Sequence, residues 1–184
     1  MKIAISNSIF FTQKSGGISR YFVEISKQII KENNIDLKII SPINKNYFLK
    51  DISKKNKISL YLQRYPNLKV LNKFNNFLCQ FYINKFSPNI FHESYYSNNF
   101  NFKKKISKVI TIYDTIHENF PEYYSKEKII QKKKIIDKYD HFICISENTK
   151  KNFMELYKVP EAKISVTYLA GNHFTNLYKN KTLK

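Results

Sequence analysis

The feature that most constrains this chain is a pair of adjacent glycines, Gly16 and Gly17, in a sequence of 184 residues that contains only three glycines. Glycine tolerates left-handed backbone and lets a ligand or another chain approach closely. The pair follows a short apolar run at residues 3–5 and precedes a segment, residues 18–29, whose apolar residues fall on one helical face. The sequence therefore predicts a strand, a glycine loop and a helix in succession.

A helix that begins directly after a glycine loop directs unpaired backbone N–H groups and the positive end of its dipole at one point. Such a point can hold an anion or a sugar phosphate. Arg20 lies in the first turn of the predicted helix and could add a bidentate contact to a phosphate or carboxylate. The alternative is a tight strand-to-helix turn with a solvent-exposed arginine, because two glycines are not the full dinucleotide-binding fingerprint.

Apolar runs and helical patterns alternate along the chain. The predicted strands are residues 2–6, 36–41 (stopped by Pro42), 89–92, 108–113, 141–146 and 163–169. Four helices are predicted: one follows the glycine pair and ends near residue 34, and the others span residues 66–86, 125–139 and 147–157. Residues 44–57 are predicted to be a loop. Strands that are apolar throughout and alternate with helices predict an α/β fold, a Rossmann-like parallel sheet flanked by helices.

The formal net charge of +18 comes almost entirely from lysine and indicates an anionic partner. A competing explanation is a genome rich in A and T. Lys, Asn, Ile, Tyr and Phe are all abundant here, and all five are encoded by codons rich in A and T, so part of the charge could reflect the genome and not a partner. The lysines are scattered, whereas nucleic-acid readers cluster basic residues on one face and use arginine to read bases. Nucleic acid is therefore disfavoured as a binding partner, and we favour an anionic membrane surface as the partner that the positive charge would contact.

Cysteine usage and the N-terminus indicate the compartment. The two cysteines, Cys79 and Cys144, provide neither a disulfide framework nor a zinc-binding spacing, which suits a reducing cytosol. The N-terminal segment lacks the apolar core of a signal peptide, and no later stretch is long enough for a membrane span. We expect a cytoplasmic protein that could lie peripherally on the inner face of the cell membrane, and we expect no cofactor.

Polar and ionisable residues follow several predicted strands. In an open parallel sheet, ligands bind outside the carboxyl ends of the strands. Asp114 and His117 follow one strand, and a carboxylate can fix the tautomer of an imidazole and raise its basicity, so we expect these two to hold one another. The alternative is a loop histidine that is hydrogen-bonded to backbone.

Two further pairs, His92 with Glu93 and Ser146 with Glu147, also lie at strand ends. A histidine that ends a strand is often a satisfied residue at the edge of the core. Ser146 is most simply a helix cap, although the same turn offers free N–H groups toward the site.

Five segments together resemble a known family. They are GGISRYFVEI, NIFHESYYS, VITIYDTIHENFPEYYS, HFICISENTKKNF and VPEAKISVTYLAGNHF. In order and spacing they resemble the N-terminal half of family 4 glycosyltransferases of the GT-B fold. Within that family, the sequence resembles in particular the mannosyltransferase-like enzymes of bacterial surface-polysaccharide assembly.

The resemblance implies roles for individual residues. Gly16 and Gly17 would lie beside the donor diphosphate with Arg20 nearby, and Asp114 and His117 would orient the transferred sugar and stabilise its charge. The residues that would face the acceptor are His92, Glu93, Tyr95 and Tyr96, and those that would border the cleft are Ser146 and Glu147.

The resemblance also implies a retaining, metal-independent transfer from a GDP- or UDP-sugar to a glycan or lipid-linked acceptor. A GT-B enzyme has a second Rossmann-like domain that binds the nucleotide, and its E-x7-E carboxylates have no counterpart here. Residues 1–170 would form the acceptor-side domain, and the basic tail at 171–184 resembles the interdomain linker. We therefore expect a fragment, a truncated frame or a split subunit that binds nucleotide sugar weakly and has little activity alone.

Two other classes of protein stay open at the level of sequence. A metal-dependent hydrolase could use His92, Glu93, Asp114 and His117, since mixed histidine and carboxylate ligands suit several metals. A noncatalytic basic module that binds anionic membrane or nucleic acid rests on the net charge alone.

Overall fold

One parallel sheet contains every strand in the part of the chain that the structure describes. The structure is a computed structural model, and it describes residues 1–64, 69–96, 100–102, 104–124, 130, 132–133 and 136–169. The strands are β1 Lys2–Ile5, β2 Asp36–Asn44, β3 Lys57–Tyr61, β4 Ile90–Glu93, β5 Ser107–Ile112, β6 His141–Cys144 and β7 Ile164–Val166. Their order is β3-β2-β1-β4-β5-β6-β7, and all six neighbouring pairs are parallel. The predicted parallel α/β sheet is therefore confirmed.

Helices follow most of the strands. They are α1 Ser8–Thr12, α2 Gly17–Ile29, α3 Lys69–Phe86, α4 Ile116–Asn119 and α5 Glu147–Tyr157, with 3₁₀ turns at Tyr47–Asp51, Lys54–Asn56, Pro121–Tyr123 and Glu161–Lys163. The predicted helices that became α2, α3 and α5 are confirmed, whereas α1 and α4 lie where no helix was predicted. The predicted helix at 125–139 lies mostly outside the described residues, and so does the tail at 171–184.

The sequence prediction was wrong between Pro42 and Lys57. We expected Pro42 to stop β2, but the strand continues to Asn44 and its register with β3 shifts between Ser41 and Ile43. Proline has no N–H to donate, so a strand accommodates it where the ladder is already interrupted. The stretch predicted as loop holds two 3₁₀ turns and leads into β3, an edge strand that the prediction missed.

Apolar side chains on both faces of the sheet form the core. The α2 helix covers one face, where Phe22 and Val23 pack with Ile3, Ile5 and residues of β2. The α3 and α5 helices cover the other face, because Cys79 packs with Ala4 and Phe91, and Phe153 packs with Phe142. Both cysteines are buried and unpaired, as the sequence predicted for Cys144. No helix in these described ranges combines the length and the apolarity needed to cross a membrane.

A buried asparagine joins α3 to the irregular part of β2. Asn75 donates its Nδ2 to the Ile43 carbonyl at 3.1 Å, and its Oδ1 accepts the Ile43 N–H at 2.9 Å. The side chain is fully buried. It therefore supplies both hydrogen bonds that one residue would make with a neighbouring strand, at the position where β2 and β3 shift register.

We predict that Asn75→Ala lowers the free energy of unfolding by about 2 kcal/mol or more, because the Ile43 N–H and carbonyl would stay buried without these partners. Asn72→Ala is the matched control, since Asn72 lies on the exposed side of the same helix. Urea unfolding of both variants measures the difference. Equal stabilities would contradict the structural role of Asn75.

Candidate functional site

The carboxyl ends of β1 and β4 are joined by two serines. The Ser94 N–H donates to Ser6 Oγ at 2.8 Å, and Ser94 Oγ donates to the Ser6 carbonyl at 3.0 Å. Ser94 Oγ also accepts the N–H of Ile9, the second residue of α1, at 3.1 Å. Both serines are buried. This cluster fixes the point at which the chain leaves β1 toward the glycine pair.

The glycine pair begins α2 at this carboxyl edge. Gly16 is the N-cap with φ of 170° and ψ of 164°, an extended conformation that any residue can adopt, so the left-handed backbone we considered is not used. A Cβ on Gly16 would meet only the flexible end of the Gln13 side chain, at 2.6 Å from Oε1. A Cβ on Gly17 would meet nothing within 4 Å. The fold itself therefore does not require glycine at position 17.

Arg20 lies in the first turn of α2 and is partly buried. Its backbone N–H donates to the Gly16 carbonyl at 3.0 Å. Its guanidinium forms no ion pair with any carboxylate in the described residues, which leaves its donors free for a ligand.

The N-terminal half of α2 contacts the end of β5. The ring of Tyr21 meets the ring of Tyr113 edge-on, with centroids 5.9 Å apart and planes at 89°. Tyr113 directly precedes Asp114, so the glycine-opened helix and the Asp114 loop lie side by side at the same edge of the sheet. Burial raises the pKa of Tyr21, so its phenol stays protonated.

Asp114 and His117 do not hold one another, contrary to our expectation. The Oδ1 atom of Asp114 accepts the backbone N–H of Ile116 at 3.2 Å and so caps the short helix α4. The ring of His117 packs edge-on against Tyr124, with centroids 4.3 Å apart. Asp114 is exposed at the edge and His117 is half-buried. The two side chains therefore reach the site separately, each held by a different neighbour.

A buried ion pair that the sequence did not predict holds this loop in place. Lys132 Nζ lies 2.9 Å from Glu118 Oε1 and donates to the Asp114 carbonyl at 3.0 Å. Only 4% of the Lys132 side chain and 5% of the Glu118 side chain are exposed. Tyr157 of α5 donates its phenol to Glu118, and burial, followed by this carboxylate, raises the pKa of Tyr157. Nothing in a lysine-rich run marks which lysine is buried.

His92 and Glu93, which the family resemblance led us to expect facing an acceptor, are buried, with 7% and 3% of their surfaces exposed. His92 shares a hydrogen bond of 2.9 Å between its Nε2 and Thr111 Oγ1, and its ring packs edge-on against Phe22. Burial lowers its pKa from 6.5 to about 4, so the imidazole is neutral. Glu93 lies on the opposite face of β4 and accepts the phenol of Tyr139.

This arrangement argues against a metal-dependent hydrolase. Adjacent residues of a strand point to opposite faces, so His92 and Glu93 cannot both join Asp114 and His117 around one ion. Across the ranges described here, no three or more His, Cys, Asp or Glu side chains come close enough to hold a metal.

Tyr95 and Tyr96 differ in exposure although their rings pack together, with centroids 5.2 Å apart. Tyr95 is 38% exposed, and partial burial, followed by the charge of Asp114, raises its pKa. Tyr96 is turned inward, and Lys132 Nζ lies 5.2 Å from its ring centroid. Tyr95 is therefore the more exposed ring of the pair.

Ser146 is the N-cap of α5, as the simpler interpretation of the sequence held. Its Oγ accepts the backbone N–H of Thr149 at 3.1 Å. Glu147 follows in the first turn and is exposed. Both residues lie beyond the end of β6, next to the Asp114 loop at the end of β5.

A depression of about 590 Å³ lies beside the glycine loop, between the segment after β2 and one face of β3 along its length. Tyr47 and Tyr61 form its rim, with ring centroids 5.9 Å apart. Lysines 50, 54 and 57 also line it. Lys14, just before the glycine pair, lies 5.1 Å from the Tyr47 centroid. Sequence reasoning missed this depression because it assigned the segment to a loop.

The fold is thus an α/β domain in which the N-terminus of α2 and the loops after β4, β5 and β6 lie at the carboxyl ends of parallel strands, where such sheets commonly bind ligands. The sequence model described as Glycosyltransferase Family 4 matches residues 15–170. The chain belongs to glycosyltransferase family 4.

Solved structures agree on the fold. A glycosyltransferase from Rickettsia africae ESF-5 superposes with a TM-score of 0.55 at 19% sequence identity. The match covers 97% of this chain and 48% of that protein, so the chain spans about half the length of its structural neighbour. No curated protein matches the sequence significantly.

We predict that His92 makes the fold sensitive to acid. Because the folded pKa is near 4, only the unfolded chain binds this proton between pH 6.5 and 4, and stability falls as the pH falls through that window. The loss is about 1.4 kcal/mol per pH unit, and there is none above pH 6.5. His92→Gln should lack this part of the slope in urea unfolding between neutral and acid pH. Parallel slopes for the two proteins would show that His92 is accessible to protons in the fold.

We predict that Lys132→Met lowers the free energy of unfolding by about 3 kcal/mol, because it leaves the Glu118 carboxylate buried without its cation. Lys132→Met combined with Glu118→Gln should lose less than Lys132→Met alone. The neighbouring Lys133→Met is the control, since Lys133 is exposed. Urea unfolding measures all three variants, and a loss in Lys133→Met equal to that in Lys132→Met would rule out the buried pair as the cause.

Proposed function

We propose that this domain forms the acceptor-side wall of the cleft of a retaining, metal-independent glycosyltransferase. A second domain would bind most of the nucleotide-sugar donor. The observation that carries the proposal is the contact between Tyr21 and Tyr113, because it brings the glycine-opened helix next to the Asp114 loop at the edge where α/β sheets bind ligands. Residues 1–170 would be this domain, and 171–184 would lead toward the second one.

Gly16, Gly17 and Arg20 would contact the donor diphosphate. The first turn of α2 has free N–H groups and the positive end of the helix dipole, and both favour a phosphate. The open space next to Gly17 supports this role, since no packing inside the domain accounts for a glycine there. Arg20 would add a bidentate contact with its unpaired guanidinium.

Asp114 and His117 would act on the transferred sugar. Asp114 is exposed and held by the Ile116 N–H, so its free oxygen could accept a sugar hydroxyl or stabilise positive charge that develops at the anomeric carbon. His117 would hydrogen-bond the same sugar from the next turn. The N-terminus of α2 would stabilise the departing nucleotide diphosphate. In other transferases a metal ion has this role.

The acceptor, a glycan or a lipid-linked sugar, would bind along the same edge. Tyr95 is an exposed aromatic residue just after β4, the strand that pairs with β5, and the depression at Tyr47 and Tyr61 lies on the other side of the glycine loop. Ser146 and Glu147 would border the cleft on the far side. His92, Glu93 and Tyr96 would support this edge from the core.

A transfer assay tests the proposal. The protein is purified as it occurs in the cell, with any polypeptide or subunit that accompanies this domain. It is then incubated with labelled GDP-mannose or UDP-sugars and a lipid-linked acceptor. We expect labelled product with retained anomeric configuration, undiminished by a chelator. Asp114→Ala should abolish the product, and Glu155→Ala, an exposed carboxylate on α5, should not. Inverted product, or loss of activity with the chelator, would refute the mechanism.

We predict that Gly17→Ala separates folding from activity. The alanine methyl group would enter open space, and alanine in a helix leaves the unfolding free energy unchanged or raises it by up to about 1 kcal/mol. Transfer should fall by about tenfold or more, because a ligand phosphate could no longer approach the backbone. Ser15→Ala, at an exposed neighbour, is the control for both measurements. A destabilised Gly17→Ala would show that the fold, not a ligand, needs this glycine.

A further inference from the structure

The outer face of α3 carries an apolar stripe that nothing in the described structure covers. Its members are Val70, Phe74, Phe77 and Phe81, and their exposed fractions are 76%, 52%, 68% and 56%. They follow one another at spacings of four, three and four residues, which places them on one side of the helix. The opposite side of α3, with Cys79 and Ile83, is buried against the sheet. A contiguous exposed apolar surface of this kind marks an interaction site.

The edge strand β3 carries a further exposed apolar residue on the same side of the sheet as α3. Ile58 packs against the core cluster beneath α3. Leu60 is two residues further along the strand, so it points to the same side of the sheet, and it is 60% exposed. Leu60 is therefore an exposed apolar residue on the side of the sheet that α3 covers.

Lysines accompany the stripe. Lys69, Lys73 and Lys85 are exposed on α3, and the helix contains no Asp or Glu among its 18 residues. None of the three lysines forms an ion pair within the described residues. Lysine stems can lie along apolar surface while their ammonium groups reach outward. The surface therefore combines large apolar side chains with uncompensated positive charge.

We propose that this face of α3 docks the domain on an anionic membrane. Val70, Phe74, Phe77 and Phe81 would enter the boundary between headgroups and acyl chains, and the lysines would lie against anionic headgroups. Charge complementarity favours this occupant over a second copy of the chain. A two-fold interface on α3 would bring lysines of one copy against lysines of the other, in a protein whose net charge is already +18.

This inference is independent of the proposed transfer reaction. It locates the membrane contact on one helix, whereas net charge alone would spread it over the whole surface. A domain held this way would keep its carboxyl edge near lipid-linked acceptors, but the docking itself needs no glycosyltransferase activity. Vesicle binding can therefore succeed or fail separately from the transfer assay.

Fluorescence provides the first test, because the chain contains no tryptophan. Phe77→Trp introduces one reporter on the stripe, where residue 77 is 68% exposed, and Tyr123→Trp introduces one outside the stripe and outside α3, where residue 123 is 76% exposed. With vesicles of phosphatidylglycerol and phosphatidylcholine, the Phe77→Trp emission should shift to shorter wavelength and the Tyr123→Trp emission should not. With phosphatidylcholine alone, neither should shift. Reporters that respond alike would overturn the proposal.

Sedimentation with the same vesicles provides the second test. The variant Phe74→Ser/Phe77→Ser/Phe81→Ser should bind at least about tenfold more weakly than the wild type. The matched control, Phe120→Ser/Tyr123→Ser/Tyr168→Ser, removes three exposed aromatic rings from elsewhere and should bind like the wild type. Lys69→Gln/Lys73→Gln/Lys85→Gln should lose about fivefold in affinity per lysine, since each is worth about 1 kcal/mol at an anionic surface.

Three results would overturn the proposal. One is unchanged vesicle binding in the stripe variant, which would assign binding to general charge. The second is equal binding of the wild type to neutral and anionic vesicles. The third is a wild type that does not bind vesicles but forms a dimer that the stripe variant abolishes, as measured by light scattering, which would assign the surface to a second copy. Circular dichroism establishes that each variant is folded.

Discussion

Parallel pairing of the strands is the constraint on which the rest of this structure depends. Because all six pairs run in the same direction, every carboxyl end lies at one edge, and residues far apart in sequence meet there. Ser6 and Ser94 are 88 positions apart and yet bond directly. The same pairing sets the glycine-opened helix beside the loop after β5. An antiparallel sheet would distribute these groups over two edges and leave no common site.

Buried polar groups then decide the shape of that edge. Lys132 and Glu118 are costly to bury, and they stay in the core only because each satisfies the other and because Tyr157 and the Asp114 carbonyl take the remaining hydrogen bonds. The loop that bears Asp114 is thus held from below by a pair that no ligand touches. His92 has the same supporting position on the other face of the sheet, where it is neutral and bonded to Thr111.

The candidate site is consequently narrower than the sequence alone indicated. Gly17, Arg20, Asp114 and Tyr95 lie at the carboxyl ends of the strands and are exposed or partly exposed there, whereas His92 and Glu93 are buried. The α3 stripe belongs to another surface of the domain. In the two proposals, the domain would bind its substrates at the carboxyl ends of the strands and would bind a membrane through α3. Lipid-linked substrates and the site would then lie close to one another at the membrane surface.

The sequence by itself determined the parallel α/β fold, the helix after the glycine pair and the cap at Ser146, because periodicity and capping are local properties of the chain. It did not determine β3, the path of β2 through Pro42 or the burial of His92. A proline blocks a strand only where its missing N–H is needed, and that depends on the neighbouring strand. Whether a lysine or a histidine is buried depends on partners distant in sequence, such as Glu118 or Thr111, so only the tertiary structure could decide it.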